Sequence, residues 1–501
     1  MEDRSSGAGV AARPGNAREL SLRAAATSLQ AGDRERARGI LQRLLDAEPY
    51  CADAWFLLGV ICQGRNDSPA AAEHYERAIT LDPSLAEAHN NLGLLVEARR
   101  DFPAAERLFR EAIRLDGQYA EAFNNLGNVL QDQGRFAEAV MAYRRSLAIR
   151  PRFVEALKNL GNAVRALGRL DEALEHVDAA LRLDPGHIIL HTSRGLLLIQ
   201  KGDFPAGFAE LEWRFRGECL PAHRLGRPEW DGSPLGGRTL LISAEQGFGD
   251  TIHFIRYAAE AKRRGARVVV ACPPALARIL ETAPGVDETV DIGGPYPDCD
   301  CFAPVMSLAR ILGTTFDAIP ADVPYLAADP GRVAAWREEM AAVVGLKVGV
   351  VWQGNPTHTR DGERSFPLAC LEHVARLPGV RLFALQKNHG LDQLRDVEGR
   401  FDITSLGGRL HDFVDTAAAM RSMDLVISAD SSPAHLAGAL GVPVWTVLPA
   451  VCDWRWMADR DDSPWYPTMR LFRQRKLGDW DELFRRLASA LGREFGLSKA
   501  G

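Results

Sequence analysis

The sequence predicts an α-solenoid followed by an α/β region of two parallel-sheet lobes. Three observations lead there: a 34-residue repeat through the first half, a change of rhythm after Arg216, and strands alternating with helices beyond it. A unit repeating at this period cannot bury its apolar face alone and must stack on its neighbours. Alternating strands and helices give parallel sheets with helices on their faces.

Segments beginning at Ala52, Ala86, Ala120, Val154 and Ile188 stack in register, with a weaker copy at Arg18. Their eighth residues are Gly59, Gly93, Gly127, Gly161 and Gly195, and their twentieth are Ala71, Ala105, Ala139, Ala173 and Gly207. Pro83, Pro151 and Pro185 fall near repeat ends, where Gly117 takes one proline's place. Small residues at two fixed places in each repeat mark points of close packing, and Pro marks the repeat ends. The pattern resembles the tetratricopeptide repeat over about residues 18–215, some six repeats. In that family the sixth position of each repeat faces an inner groove; here it holds Asn91, Asn125 and Asn159. One reading makes them an amide ladder for a peptide backbone, as in the repeats of the O-linked N-acetylglucosamine transferases. The other takes Asn as a frequent residue at that place in any such repeat.

At 501 residues the chain needs several domains, because single cores stop growing near ~250 residues. Apolar residues make up 46% and charged residues 25%, as in ordinary globular proteins. A formal charge of −6 argues against nucleic acid as a partner, which calls for a basic face. Eight cysteines spread over this length make no disulfide framework. Cys299-Asp300-Cys301 has no second pair at zinc spacing. The polar first residues lack the apolar segment of a signal peptide, and no apolar run approaches ~18 residues. A cytoplasmic protein is expected.

After Arg216 a Gly- and Pro-rich stretch marks a linker. Apolar runs then follow at Thr239–Ile242, Arg267–Ala271, Lys347–Trp352, Arg381–Leu385, Asp424–Ile427 and Val444–Leu448. Helical periods fill the gaps at Ile252–Ala261, Leu371–Leu377 and Ala434–Leu440, and a last helix spans Trp480–Leu491. The expected division is a disordered terminus 1–17, repeats 18–215, linker 216–237, a first lobe with interdomain linker 238–345, and a second lobe 346–495.

Four strand ends carry candidate site residues. In "AEQGFGDTIHFIRY", Gly247 and Gly249 permit close approach of a ligand. Asp250 stands at a helix start, as an N-cap worth about 1 kcal/mol or as a general base on the rim of a strand-end crevice. The spacing Gly-x-Gly-x-x-Ile lacks the third glycine of a dinucleotide fingerprint, which disfavours an oxidoreductase. In "DLVISADSSPAHLAGALG", Asp430, Ser431, Ser432 and His435 surround a helix start suited to a phosphate. In "VGVVWQGNPTHTRDGERSFPL", a polar loop carries Asn355, His358, Arg360 and Arg364, with Arg suited to forked phosphate contacts. Gln386 and Lys387 of "ALQKN" close another strand.

These segments, together with "PVWTVLPAVCDWRWMADRDDSPWYPTMRLFRQ", make residues 238–490 resemble the heptosyltransferase-type glycosyltransferases of family 9. That class has two Rossmann-like domains, the GT-B arrangement. The resemblance implies that Asp250 activates the acceptor and that Asp430 to His435 bind the donor diphosphate. Ser431 and Ser432 stand where the family has Thr and Gly, and Arg364 stands where it has a phosphate-binding Lys. It also implies metal independence, although Asp298–Asp300 and Asp459–Asp461 each form an Asp-x-Asp pair.

The function expected is transfer of a hexose or heptose from a nucleoside diphosphate sugar to an acceptor hydroxyl, with no cofactor beyond this co-substrate. The rival is a non-catalytic repeat scaffold with a degenerate transferase-like domain. For the repeats, the sequence leaves open a protein or peptide acceptor, a membrane-associated glycan assembly, or a second copy of the chain.

Overall fold

Asp33, Asp67, Asp101 and Asp203 stand one or several repeats apart, and each caps the second helix of its hairpin by accepting from the amide three residues on. Such caps satisfy amides that the helix itself cannot. In this computed structural model, which describes residues 14–217 and 226–497, the hairpins they close run from Pro14 to Leu211. Residues 1–13 of the expected disordered terminus and 218–225 of the expected linker lie outside the described residues.

The chain divides into two compact units, one ending at Asp184 and one beginning at Pro185. The first contains five helical hairpins, from Pro14–Gln30 with Arg34–Ala47 to Val154–Ala166 with Leu170–Leu183. Their small residues do what the repeat pattern requires. A Cβ on Gly59 would stand 2.5 Å from Tyr75, and one on Gly93 would stand 2.7 Å from Phe109. Ala71, Ala105, Ala139 and Ala173 are fully buried.

The second unit opens with a sixth hairpin, Ile188–Gln200 with Phe204–Leu211. It packs into the α/β body through aromatic rings. Phe204 stacks on Trp465 at 5.6 Å, and Phe208 meets Trp454 edge-on at 6.0 Å. The repeat period thus runs one hairpin further than the first unit's packing.

Two all-parallel sheets follow. The first holds β1 Thr239–Ser243, β2 Arg267–Cys272, β3 Glu288–Asp291 and β4 Cys301–Pro304, in the order β3-β2-β1-β4. The second holds β5 Leu346–Val351, β6 Val380–Ala384, β7 Ile403–Ser405, β8 Leu425–Ala429, β9 Val444–Leu448 and β10 Met469–Arg473, in the order β10-β9-β8-β5-β6-β7. β8 and β9 are buried along their whole length and β5 over its last four residues, as strands covered on both faces must be. The strand order reverses between β1 and β4, and between β5 and β8. Crevices open at the carboxyl ends of strands at such reversals. Among the described residues no helix is long and apolar enough to cross a membrane.

Candidate active site

Beyond β1, Glu245 is buried and accepts two hydrogen bonds from the Arg214 guanidinium, at 2.8 and 3.0 Å, and one from the Met306 amide at 3.0 Å. This anchors the loop from which helix Phe248–Phe254 starts. Gly247 is the N-cap, in extended backbone, and Asp250 is the third helical residue. Asp250 Oδ2 accepts from the Gly247 amide at 2.9 Å. The expected N-cap role for Asp250 therefore belongs to Gly247, and the carboxylate reaches back from the first turn. Gly249 is small for a different reason: a Cβ there would lie 2.9 Å from His435 Cδ2. The two lobes touch at that point, helix Phe248–Phe254 against helix Ser432–Ala439.

All thirteen candidate site residues named above line one cleft of about 820 Å³. Gly247, Gly249 and Asp250 come from the first lobe, and the other ten from the second. Their engagement differs. Gln386 is buried, and its amide is fully used: Oε1 accepts from the Trp352 and Gln353 amides, and Nε2 donates to the Gln353 and His389 carbonyls. It joins the ends of β5 and β6. Asn355 closes a turn by accepting from the Thr357 amide, and Arg360 holds Glu363 and the Val451 carbonyl. Lys387 donates to the His411 carbonyl at 2.5 Å. Arg364 is held less tightly, through Nε to Asp361 at 3.4 Å. Ser431 is the N-cap of helix Ser432–Ala439, but its hydroxyl donates to the Ala429 carbonyl and leaves that helix start without a side-chain cap. Such an end carries partial positive charge.

Arg455 is the charged residue that motif reading missed. It is 7% exposed, pairs with Asp250 across the cleft and donates to Asp453 at 2.9 Å. Burial disfavours its charge, yet the carboxylates of Asp250 and Asp453 outweigh burial and raise its pKa. Its signal was the segment "VCDWRWM", specific as a motif but without an obvious role for any one residue.

Asp430 shows the opposite balance. Burial pushes its carboxyl up from near 3.8 to about 6, helped by the Asp453 carboxylate and opposed by Arg364 and Arg455. The folded chain thus holds this proton more tightly than the unfolded chain, so the stability it contributes is present in acid and is lost as pH rises through 6. A difference of that size is worth on the order of 2–3 kcal/mol. Asp430→Asn is expected to unfold at higher urea than wild type at pH 8 and at nearly the same urea at pH 4. An equal effect at both pH values would show that Asp430 is not held out of its ordinary range.

Asn125 and Asn159 donate to Asn90 (2.9 Å) and Asn124 (3.1 Å) of the preceding repeats, and Asn91 donates to the Tyr75 hydroxyl at 3.4 Å. Their amide nitrogens thus tie hairpin to hairpin. Of the Asp-x-Asp pairs, Asp300 accepts from the Thr239 amide and Asp298 is exposed beside Arg227; neither these nor Asp459 and Asp461 line the cleft. Among the described residues no group of three or more His, Cys, Asp or Glu could hold a metal ion.

Two sequence families match the chain. A tetratricopeptide repeat family matches residues 22–85, 63–120 and 124–188, and glycosyltransferase family 9 (heptosyltransferase) matches residues 372–450. Protein FlbA of Caulobacter vibrioides is 28% identical over 359 residues, covering 65% of this chain and 59% of that protein. The chain therefore spans less than two thirds of that relative's length. Among solved structures, MamA is 26% identical with a TM-score of 0.30, covering 34% of this chain and 93% of MamA. Pseudomonas aeruginosa pilF is 22% identical with a TM-score of 0.38, covering 42% and 97% respectively. Hairpins at a 34-residue period in front of paired parallel sheets, with these two matches in the same order, identify a tetratricopeptide-repeat chain that carries a glycosyltransferase family 9 domain.

Proposed function

We propose that the chain transfers a sugar from a nucleoside diphosphate sugar to an acceptor hydroxyl, and that the repeats recruit a protein acceptor or partner. One observation carries this reading: Asp250 of the first lobe and the uncapped helix start at Ser431 of the second open onto the same cleft. The donor diphosphate lies on that helix start, with Ser432 and His435 donating to its oxygens and the Ser431 hydroxyl turning from the Ala429 carbonyl to join them. Arg364 and Lys387 offset the charge that builds as the sugar departs. Preorganised amides and guanidiniums of this kind do the work that a metal does elsewhere, so no metal or further cofactor is assigned.

Asp250 takes the proton of the acceptor hydroxyl. Its pairing with Arg455 makes this conditional on the donor. An arriving diphosphate competes for the guanidinium and frees the carboxylate. Asp430, with its carboxyl near 6, can take up a proton and shed its charge beside the same anion.

A panel of nucleotide sugars screened by thermal shift tests the assignment. At 100 times its Kd the correct donor stabilises the protein by about 2.7 kcal/mol. Unfolding that no nucleotide sugar and no nucleoside diphosphate displaces would favour the non-catalytic scaffold instead.

A further inference from the structure

Below the donor cleft lies a buried polar junction between the two lobes. Tyr466, fully buried in the second lobe, brings its hydroxyl to 2.9 Å from His435 Nδ1 and 3.0 Å from His253 Nδ1. His253 belongs to the helix that carries Asp250, and His435 to the helix at the diphosphate site. Burial pushes both imidazoles well below their usual range, with nearby arginines adding to the effect, so both are neutral. A neutral imidazole has one N–H and one bare nitrogen, and a phenol has one proton. The proton count therefore restricts which nitrogen is protonated.

If Tyr466 donated to His253, the proton of His253 would sit on Nε2, which is buried with no partner among the described residues. Orphaned buried N–H groups are rare, while an unused lone pair is tolerated more easily. A third arrangement would send the Tyr466 proton to Tyr325. That oxygen is 3.4 Å away and already accepts from Arg256 at 3.0 Å, while its own proton goes to the Ile252 carbonyl at 3.0 Å. The shorter path wins: His253 donates from Nδ1 to Tyr466, and Tyr466 donates to His435 Nδ1. The remaining proton of His435 is then on Nε2. That edge of the ring faces Gly249, where a Cβ would lie 2.9 Å from Cδ2 and 3.6 Å from Nε2, and His435 lines the cleft.

We infer that Tyr466 and His253 are positioning residues that fix the tautomer of His435, so that its Nε2–H is presented to an anionic oxygen of the bound diphosphate. The inference deepens the donor-site reading and rests on it for the identity of the anion. A neutral N–H donor holds an oxygen without adding a charge that would slow release of the product. The first-lobe helix thereby contributes to donor binding through a residue that never touches the donor.

¹⁵N NMR of the full chain labelled at histidine reads the tautomer directly, with the His435 signal assigned from its loss in His435→Gln. Inorganic pyrophosphate, measured by calorimetry, probes the site independently of the nucleobase. The expected result is a proton on His435 Nε2 in the wild type. In Tyr466→Phe the signal should redistribute towards Nδ1–H, with pyrophosphate binding weakened about tenfold, the loss of one hydrogen bond to a charged group. A wild-type proton on Nδ1, or an unchanged tautomer in a folded Tyr466→Phe, overturns the inference. If Tyr466→Phe does not fold, the wild-type spectrum alone decides. Wild-type protein that shows the Nε2–H tautomer but binds no pyrophosphate would sink the donor-site reading and leave the tautomer assignment standing.

Discussion

Asp250→Asn is expected to lower the transfer rate by roughly 10²–10⁴-fold, the range lost with a general base, while the protein stays folded. The substitution is nearly isosteric. The Asn oxygen can still accept from the Gly247 amide, a 2.9 Å bond in the wild type that closes the helix start. What disappears is the proton acceptor and the negative charge facing Arg455. Because the guanidinium is then free to meet the diphosphate, donor affinity should hold or improve while kcat collapses. Steady-state kinetics with circular dichroism as a folding control separates the two effects. A variant that keeps the full transfer rate removes Asp250 from the role of base.

Arg455→Met is expected to destabilise the second unit by about 1–3 kcal/mol, the cost of leaving two cleft-lining carboxylates without their hydrogen-bonded partner. Arg455 lies against the Trp454 ring at 4.2 Å, and Met fills much of the same space. The Asp250 and Asp453 carboxylates lose their shared counter-ion, and Asp430 loses one of the two cations that oppose its shift. Urea unfolding followed by Trp fluorescence measures the loss. The double variant with Asp250→Asn should be less destabilised than the sum of the two single changes, since it removes one of the stranded carboxylates. Strict additivity would mean that the pair across the cleft contributes no coupling.

Much of the architecture was legible because its causes are local. The row from Gly59 to Gly195 records helix contacts that a Cβ would obstruct, and β1, β2, β5, β6, β8 and β9 announced themselves as apolar runs. β3, β4, β7 and β10 did not. They are three to five residues long, and β3, β7 and β10 carry polar or charged residues in partly exposed places. Thirteen candidate residues could be grouped in advance because each follows a strand end near a reversal of strand order, where a parallel fold gathers its loops.

The partnerships among them were not legible. Asp250 and Arg455 are 205 positions apart, and nothing local to either predicts the other. His253 reads as one polar residue in an amphipathic segment until Tyr466, 213 positions away, is placed beside it. The sixth hairpin scans as one more repeat, yet Phe204 and Phe208 carry it into the second unit because their partners Trp465 and Trp454 lie in the last lobe. Periodicity records what each repeat shares and is silent about what one copy alone touches.

A crystal structure of the full chain with a bound nucleoside diphosphate bears most directly on the pairing of a first-lobe carboxylate with a second-lobe phosphate cradle. The diphosphate is predicted at the start of helix Ser432–Ala439, within hydrogen-bond reach of Ser432 and His435, with Asp250 across the open space where a sugar would extend. Density for the diphosphate outside this cleft, or inside it with Asp250 walled off from that space, would contradict the proposed transfer.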